Sequence, residues 1–417
     1  MLHSRGWRAL LARVISAPAI ASSTPPSAAE PQPEQKIADV IVPRAMRPMS
    51  LLWVEEQLPD PARDSGSLRM FNLLRLLVAM GHSVHVLTTS RIGDPAHRRR
   101  VRDIGVHCVS PVAQGPARWL ERQEISFGAV IVSRYHLAQQ WFPLVRSVNP
   151  DALRILDTVD LHHVRELREA TLRGKVLMRL AANATRRREL RAIQEADVTW
   201  VVSDVERRIL EDELPEAQVE VISNVHELPP PTNHRERGAH LLFVGGAHHP
   251  PNADGVRWLL AEVMPRILVR RPECKLHLVG LGLEGCAGDL PLPPGVVFHG
   301  HLHDLGSLLR SCCVGLAPLR FGAGVKGKIN QYMAFGLPTI ATPNAIEGMH
   351  LRDGLDVLVA GDAPDFADAV IRLLDDRHLW ETLAHQGREN VRRHFSMESA
   401  VPGIQATFLH QRRNHLR

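Results

Sequence analysis

Leu319-Arg-Phe-Gly-Ala-Gly-Val-Lys-Gly-Lys-Ile-Asn-Gln-Tyr-Met-Ala-Phe-Gly-Leu-Pro338 is the most informative stretch of the 417 residues. It follows a β-rich run ending at Pro318 and opens with Gly322, Gly324 and Gly327. Ile329 and Met333 then recur at helical spacing, so the pattern predicts a helix from near Val325 to a stop at Gly336. Glycines let the backbone approach a ligand closely, and a helix N-terminus offers unpaired N–H groups to an anion. Lys326 and Lys328 add two mobile ammonium charges, as a diphosphate would need. Among 50 Lys and Arg only five are lysines, Lys36, Lys175, Lys275, Lys326 and Lys328. Two of them in one loop hint at a requirement for point charges. A tight turn with solvated lysines is the plainer alternative.

Working outward, short β-rich runs alternate with helical patterns on both sides of this loop. Ser50–Val54, Ser83–Thr88, 130–132, 154–157 and 199–203 precede it in a first series, and 241–244, 275–279, 296–299, 314–318, 339–342 and 357–359 form a second. The texture changes at 216–238, which contains Pro229, Pro230 and Pro231 and reads as the linker. The expected architecture is α/β: two doubly wound, Rossmann-like domains facing a central cleft. Residues 49–215 form the first, 239–395 the second and 396–417 a helical tail. Gly280, Gly282 and Gly285 match G-x-G-x-x-G after a strand, but the Leu290-Pro-Leu-Pro-Pro294 run beyond them forbids the helix a dinucleotide site needs.

Composition narrows the classes. A hydrophobic share of 44 % and a charged share of 23 % exclude disordered, collagen-like and coiled-coil chains. No apolar run reaches the ~18 residues of a membrane span. The net charge of +5 is too small to imply nucleic-acid binding, and it is concentrated in 161–195, where nine basic residues face four acidic ones. That segment reads as one or two helices with Leu172, Val176, Leu177, Leu180 and Leu190 available for an apolar side. A solvated helical face is the plain reading, and contact with anionic lipid headgroups or a lipid-linked acceptor the sharper one. Five cysteines without a C-x-x-C pair favour a reducing, cytoplasmic setting over a disulfide framework. Residues 1–48 stand apart from the fold: 1–35 are acid-poor up to Glu30 and carry Arg5, Arg8 and Arg13, as a targeting peptide or a disordered extension would.

The second half resembles the nucleotide-binding domain of the retaining, nucleotide-sugar-dependent glycosyltransferases of family 4, which have the GT-B fold. The resemblance rests on Phe243-Val-Gly-Gly246, Pro250-Pro-Asn-Ala-Asp-Gly-Val256, Leu278-Val-Gly280, the Gly322–Pro338 loop and helix, Thr339-Ile-Ala-Thr342 and Glu347-Gly-Met349. The first half fits more loosely, through Asp64-Ser-Gly-Ser-Leu-Arg69, Gly81-His-Ser-Val84, Glu195-Ala-Asp197 and Val202-Ser203. It implies that Gly245, Gly246, Gly322 and Gly324 line the donor's phosphate side, with Lys326 and Lys328 neutralising the diphosphate and Glu347 on the donor. Gln331 stands where the family usually has the ribose-binding glutamate, and Ala323 replaces the glutamate that normally precedes it. In the first half, His162 would contact the donor sugar or reacting centre with Asp160 orienting it. A helix cap by Asp160 is the alternative. Ser65, Gly66 and Ser67 would face the acceptor or a donor phosphate.

The function implied is transfer of a sugar from a nucleotide-diphosphate donor to a saccharide or lipid-linked acceptor hydroxyl, with retention of configuration and no cofactor. A catalytically inactive GT-B scaffold or a nucleotide-sugar epimerase are the alternatives. His299, His301 and His303 alternate as strand residues on one face would, yet lack the flanking spacing of a metal site, and no metal is expected.

Overall fold

A computed structural model describes residues 47–414 except 91–94, 110–114, 124 and 231–237. The extension 1–46 and part of the expected linker lie outside the described residues. Seven strands form the first sheet: β1 Ser50–Glu55, β2 Ser83–Thr88, β3 His107–Val109, β4 Ala129–Ser133, β5 Leu153–Asp157, β6 Val198–Val201 and β7 Val219–Val221. Six form the second: β8 His240–Val244, β9 Lys275–Val279, β10 Val296–Gly300, β11 Val314–Ala317, β12 Thr339–Ala341 and β13 Leu358–Val359. The orders are β3-β2-β1-β4-β5-β6-β7 and β10-β9-β8-β11-β12-β13, and every pairing is parallel. Each half is thus doubly wound. The strand order reverses beside β1 and beside β8, where such sheets open a crevice at the carboxyl ends of their strands.

The strands read as continuous apolar runs because both faces are covered. Leu51, Trp53 and Ile131 enter one core of the first half, while Leu52, Val54 and Val132 enter the other. The former core also takes Met397, Ala400, Val401, Ile404 and Phe408 from the last helix, Met397–Asn414. The segment read as a tail is therefore part of the first half's interior.

The 216–238 segment is a linker only in part. Val219-Glu-Val221 pairs with β6 as the sheet's edge, and Ile222 and Val225 are buried beyond it. The chain passes from the first half to the second after Val225 and returns near Phe395. The two crossings touch, because His226 N–H donates to the Phe395 carbonyl at 2.7 Å.

The basic segment forms two helices, His162–Arg173 and Val176–Glu195, joined at Gly174 with φ +62°. Its inward side matches the spacing only in part: Leu190 packs against the first half's core. Ala182, Thr185, Glu189, Ala192 and Ile193 face inward, whereas Leu172, Val176, Leu177 and Leu180 are exposed. Small residues are buried because the second helix packs closely on its neighbour, leaving the larger ones at the hairpin tip. Among the described residues no helix is long and apolar enough to cross a membrane.

The three alternating histidines do not share a face. The β10 strand ends at Gly300 (φ +62°) after a register shift. His299 lies in a stacked row with His240 and His277, linked by contacts of 2.8 and 2.9 Å. His301 and His303 lie past the strand and pack edge-on against each other. Among the described residues no group of His, Cys, Asp or Glu is placed to hold a metal ion.

Candidate functional site

Two helix N-termini meet between the halves. Helix Ser65–Ala79 starts after Asp64, whose carboxylate accepts the Ser67 N–H at 2.8 Å. Helix Gly327–Ala334 starts after Lys326, two residues later than the spacing predicts. Val325 is held out of the helix: its side chain is buried and its carbonyl accepts from Asn224 Nδ2 at 3.1 Å. A Cβ built on Gly327 would lie 2.3 Å from Ser65 Cβ, so only glycine permits this approach. Ser65 thus faces the second half, Gly66 lies against Asp64 and Val159, and Ser67 is turned inward with its hydroxyl accepting from Arg63 at 2.7 Å.

On the second half's side, the two lysines have different environments. Lys326 Nζ folds back to donate to the carbonyls of Ala323 and Gly324 at 2.7 and 2.6 Å. Burial pulls its pKa down to about 8 against the pull of Glu206 and Asp160. In this state it organises the glycine loop. Lys328 reaches the other way, to Asn252 Oδ1 at 2.6 Å, with its ammonium 4.2 Å from the Phe243 ring centre. Removal from solvent, reinforced by Lys326, brings its pKa down to about 7. Asn252 Nδ2 in turn donates to the Gly246 carbonyl at 3.0 Å. Gly245 has φ +149°, and a Cβ there would lie 2.9 Å from Lys328 Nζ, so this glycine leaves room for the ammonium. Gln331 lies one helical turn beyond Lys328 on the same side.

On the first half's side, Val159 has φ +65°, a strained setting for a β-branched residue, and leads into Asp160. Asp160 is paired with Arg165 rather than capping the next helix. Burial works against its charge, yet Arg165 and His162 hold its pKa below the usual carboxylate value. The cap comes from Glu189, whose two oxygens accept the His162 and His163 N–H groups at 3.1 Å each. His162 Nδ1 lies 3.2 Å from the Asp160 backbone carbonyl, with Glu189 Oε1 at 3.5 Å and Asp160 Oδ1 at 3.6 Å beyond it, so a carbonyl and two carboxylates surround it. The carboxylates raise its pKa against the effect of burial. Glu189 itself falls to about 2 despite burial, because both histidines bond it.

The halves are in contact here. A Cβ on Gly324 would lie 3.1 Å from Asp160 Cβ and 3.7 Å from Glu206 Oε1. Arg168 donates to both Glu347 oxygens and to the Gly322 carbonyl, the latter at 2.8 Å. Glu347 is therefore held by the first half's arginine.

Sequence reasoning missed three groups. Glu206 receives the Leu161 and Val202 N–H groups at 3.1 Å each, and burial with Asp160 nearby lifts its pKa to about 7. Its Ser203-Asp-Val-Glu206 spacing reads as an ordinary capping box, which hides this role. His249, pushed to about 4 by burial and then Lys328 and Arg165, faces both halves; its place before Pro250-Pro-Asn252 was the available signal. Glu189, 27 residues from His162, had none.

Residues 238–376 match the family model described as glycosyl transferases group 1. They form a glycosyl transferases group 1 domain. Sequence relatives of the chain include an uncharacterized 44.6 kDa protein in the cps region of Klebsiella pneumoniae, 26 % identical over 139 residues. Another is a phosphatidyl-myo-inositol mannosyltransferase of Mycobacterium leprae, 29 % identical over 206 residues. These matches cover 31 % and 46 % of the chain, which spans 36 % and 54 % of the relatives' lengths. Around the group 1 domain the whole architecture is GT-B. Sucrose-phosphate synthase from Thermosynechococcus elongatus superposes with a TM-score of 0.67 at 17 % identity, over 88 % of this chain and 100 % of that one. Anabaena HepE in complex with UDP and glucose gives 0.64 at 13 % identity, over 86 % and 99 %.

Proposed function

We propose that this protein is a glycosyltransferase that moves a sugar from a nucleotide-diphosphate donor to a saccharide or lipid-linked acceptor hydroxyl, with retention of configuration. The observation that carries this is Lys328, whose ammonium is held by Asn252 beside Gly245 in a group 1 domain, at the start of a helix that faces the first half. The HepE structure, which shares the fold, holds UDP and glucose.

As the glycosidic bond breaks, negative charge builds on the departing diphosphate. Lys328 and the N–H groups of the first residues of helix Gly327–Ala334 would stabilise it from fixed positions. His162, pinned between Asp160 and Glu189, would contact the donor sugar or the reacting centre from the opposite wall. Gln331 can bond ribose hydroxyls through its amide without a charge. The scheme asks for no cofactor besides the donor. The five cysteines, four of them buried and none in a C-x-x-C pair, fit a reducing setting.

A binding scaffold without turnover is the second reading, favoured by Gln331 and by the capture of Glu347 by Arg168. Calorimetry and turnover with UDP-, GDP- and ADP-linked sugars separate the two. Donor binding with release of nucleoside diphosphate supports the enzyme, and binding without release on any acceptor tried supports the scaffold.

Donor binding should also take up a proton. In the free protein Lys328 is largely charged below pH 7 and loses its proton above it. A bound diphosphate favours the charged form and raises this pKa. Below pH 7 nothing need be gained, whereas above it each binding event must protonate Lys328. Nucleoside diphosphate affinity is therefore expected to fall by up to about tenfold per pH unit between pH 7 and 9. Calorimetry at pH 8 in buffers of different ionisation enthalpy should show uptake approaching one proton, reduced in Lys328→Ala. Uptake identical in that variant would contradict the assignment.

A further inference from the structure

The hairpin at Gly174 carries the densest group of exposed large apolar side chains among the described residues. Leu172 is 46 %, Val176 72 %, Leu177 81 % and Leu180 60 % exposed. The other exposed large apolar residues, such as Val269, Leu281 and Leu409, are scattered singly, as is normal for a soluble surface. The turn between the helices is well formed: Gly174 is left-handed, and Lys175 N–H closes on the Ala170 carbonyl at 3.1 Å. The apolar cluster therefore sits on a firm support.

Basic residues surround it. Arg173, Lys175 and Arg179 are exposed within the tip, and Arg187 and Arg191 are exposed two to three turns behind it on the second helix. Apolar side chains at a tip with a cationic collar behind them match the layering of a membrane interface, acyl chains below anionic headgroups. A second copy of the same surface would bring two strongly basic collars together, which charge repulsion opposes.

We propose that the tip of the 162–195 hairpin docks on an anionic lipid bilayer, with Leu172, Val176, Leu177 and Leu180 entering the headgroup boundary and the collar engaging the headgroups. The first helix of the hairpin begins at His162, so ten residues at ~1.5 Å each put the docked tip about 15 Å from the candidate site. Docking would hold the cleft beside the membrane surface, within reach of an acceptor anchored there. The proposal stands on the surface itself and does not depend on the transfer chemistry.

The test is flotation of the full chain with vesicles of equal parts phosphatidylcholine and phosphatidylglycerol, against phosphatidylcholine alone, without any donor. The anionic vesicles should bind at least about tenfold more tightly, and less so as salt is raised. Leu177→Glu with Leu180→Glu should abolish flotation, and Lys175→Glu with Arg179→Glu should weaken it about tenfold or more, with unchanged melting temperatures in both. These four positions are exposed, so folding is not at stake. Equal flotation on both vesicle types, no flotation, or flotation indifferent to both variants would overturn the proposal. So would wild-type dimers that become monomers in the leucine variant, because the tip would then join two copies.

Discussion

Transfer by a Lys328→Ala variant is expected to fall by about two to three orders of magnitude in kcat/KM, while its melting temperature stays within about 3 °C of wild type. The loss is large because a charge donor fixed where negative charge develops acts on the transition state more than on the ground state. The stability change is small because among the described residues the side chain hydrogen-bonds only Asn252 Oδ1, and the ammonium already bears a desolvation cost. Arginine should not rescue: the space beside Gly245 is too tight even for a Cβ, and the planar guanidinium is broader than the ammonium. Steady-state kinetics with the best donor reads this directly. Wild-type turnover in the alanine variant would remove Lys328 from the mechanism and with it the proposed diphosphate site.

The second large effect is on stability. Arg69→Ala should lower the unfolding free energy by about 3–5 kcal/mol, because it strands a buried carboxylate. Arg69 and Asp157 are paired at 2.7 Å with side chains 1 % and 2 % exposed. The second Asp157 oxygen has no hydrogen-bond partner, so nothing replaces the guanidinium. Arg69 also donates to the Ile222 and Ser223 carbonyls, tying the first helix to the chain that leaves for the second half. Replacing both partners by apolar residues, Arg69→Met with Asp157→Leu, should recover a good part of the loss. Urea titration followed by circular dichroism measures both; a single variant as stable as wild type would show that the pair contributes nothing.

These variants show where the sequence was informative. The α/β alternation was legible because parallel strands covered on both faces stand out as short β-branched runs, and the 239–359 strands fall where those runs predict them. The three-residue β3 at the sheet edge has no such run and passed unnoticed. Lys328 was legible because its glycines and neighbouring helix are local. The 64–69 motif was visible but Arg69 was not separable within it, since its partner lies 88 residues away. A cap by Asp160 likewise stayed open as the alternative, because nothing local reveals that Glu189 on the following helix supplies the cap instead. The hairpin's leucines were legible only as available for an apolar side, because periodicity reports a face and says nothing of what covers it.

The paired chain crossings have a mechanical meaning. A single tether would leave one half free to swivel on the other like a ball in a socket. Here two strands of chain pass side by side, stitched by the His226 to Phe395 bond, and the last helix is anchored in the first half's interior. A joint built this way would act as a door on a pin, permitting swing and resisting twist. If the halves move on each other during the proposed transfer, such a joint would bring Lys328 back to the same place relative to the first half at each closure, so alignment of the two walls would be set by the joint.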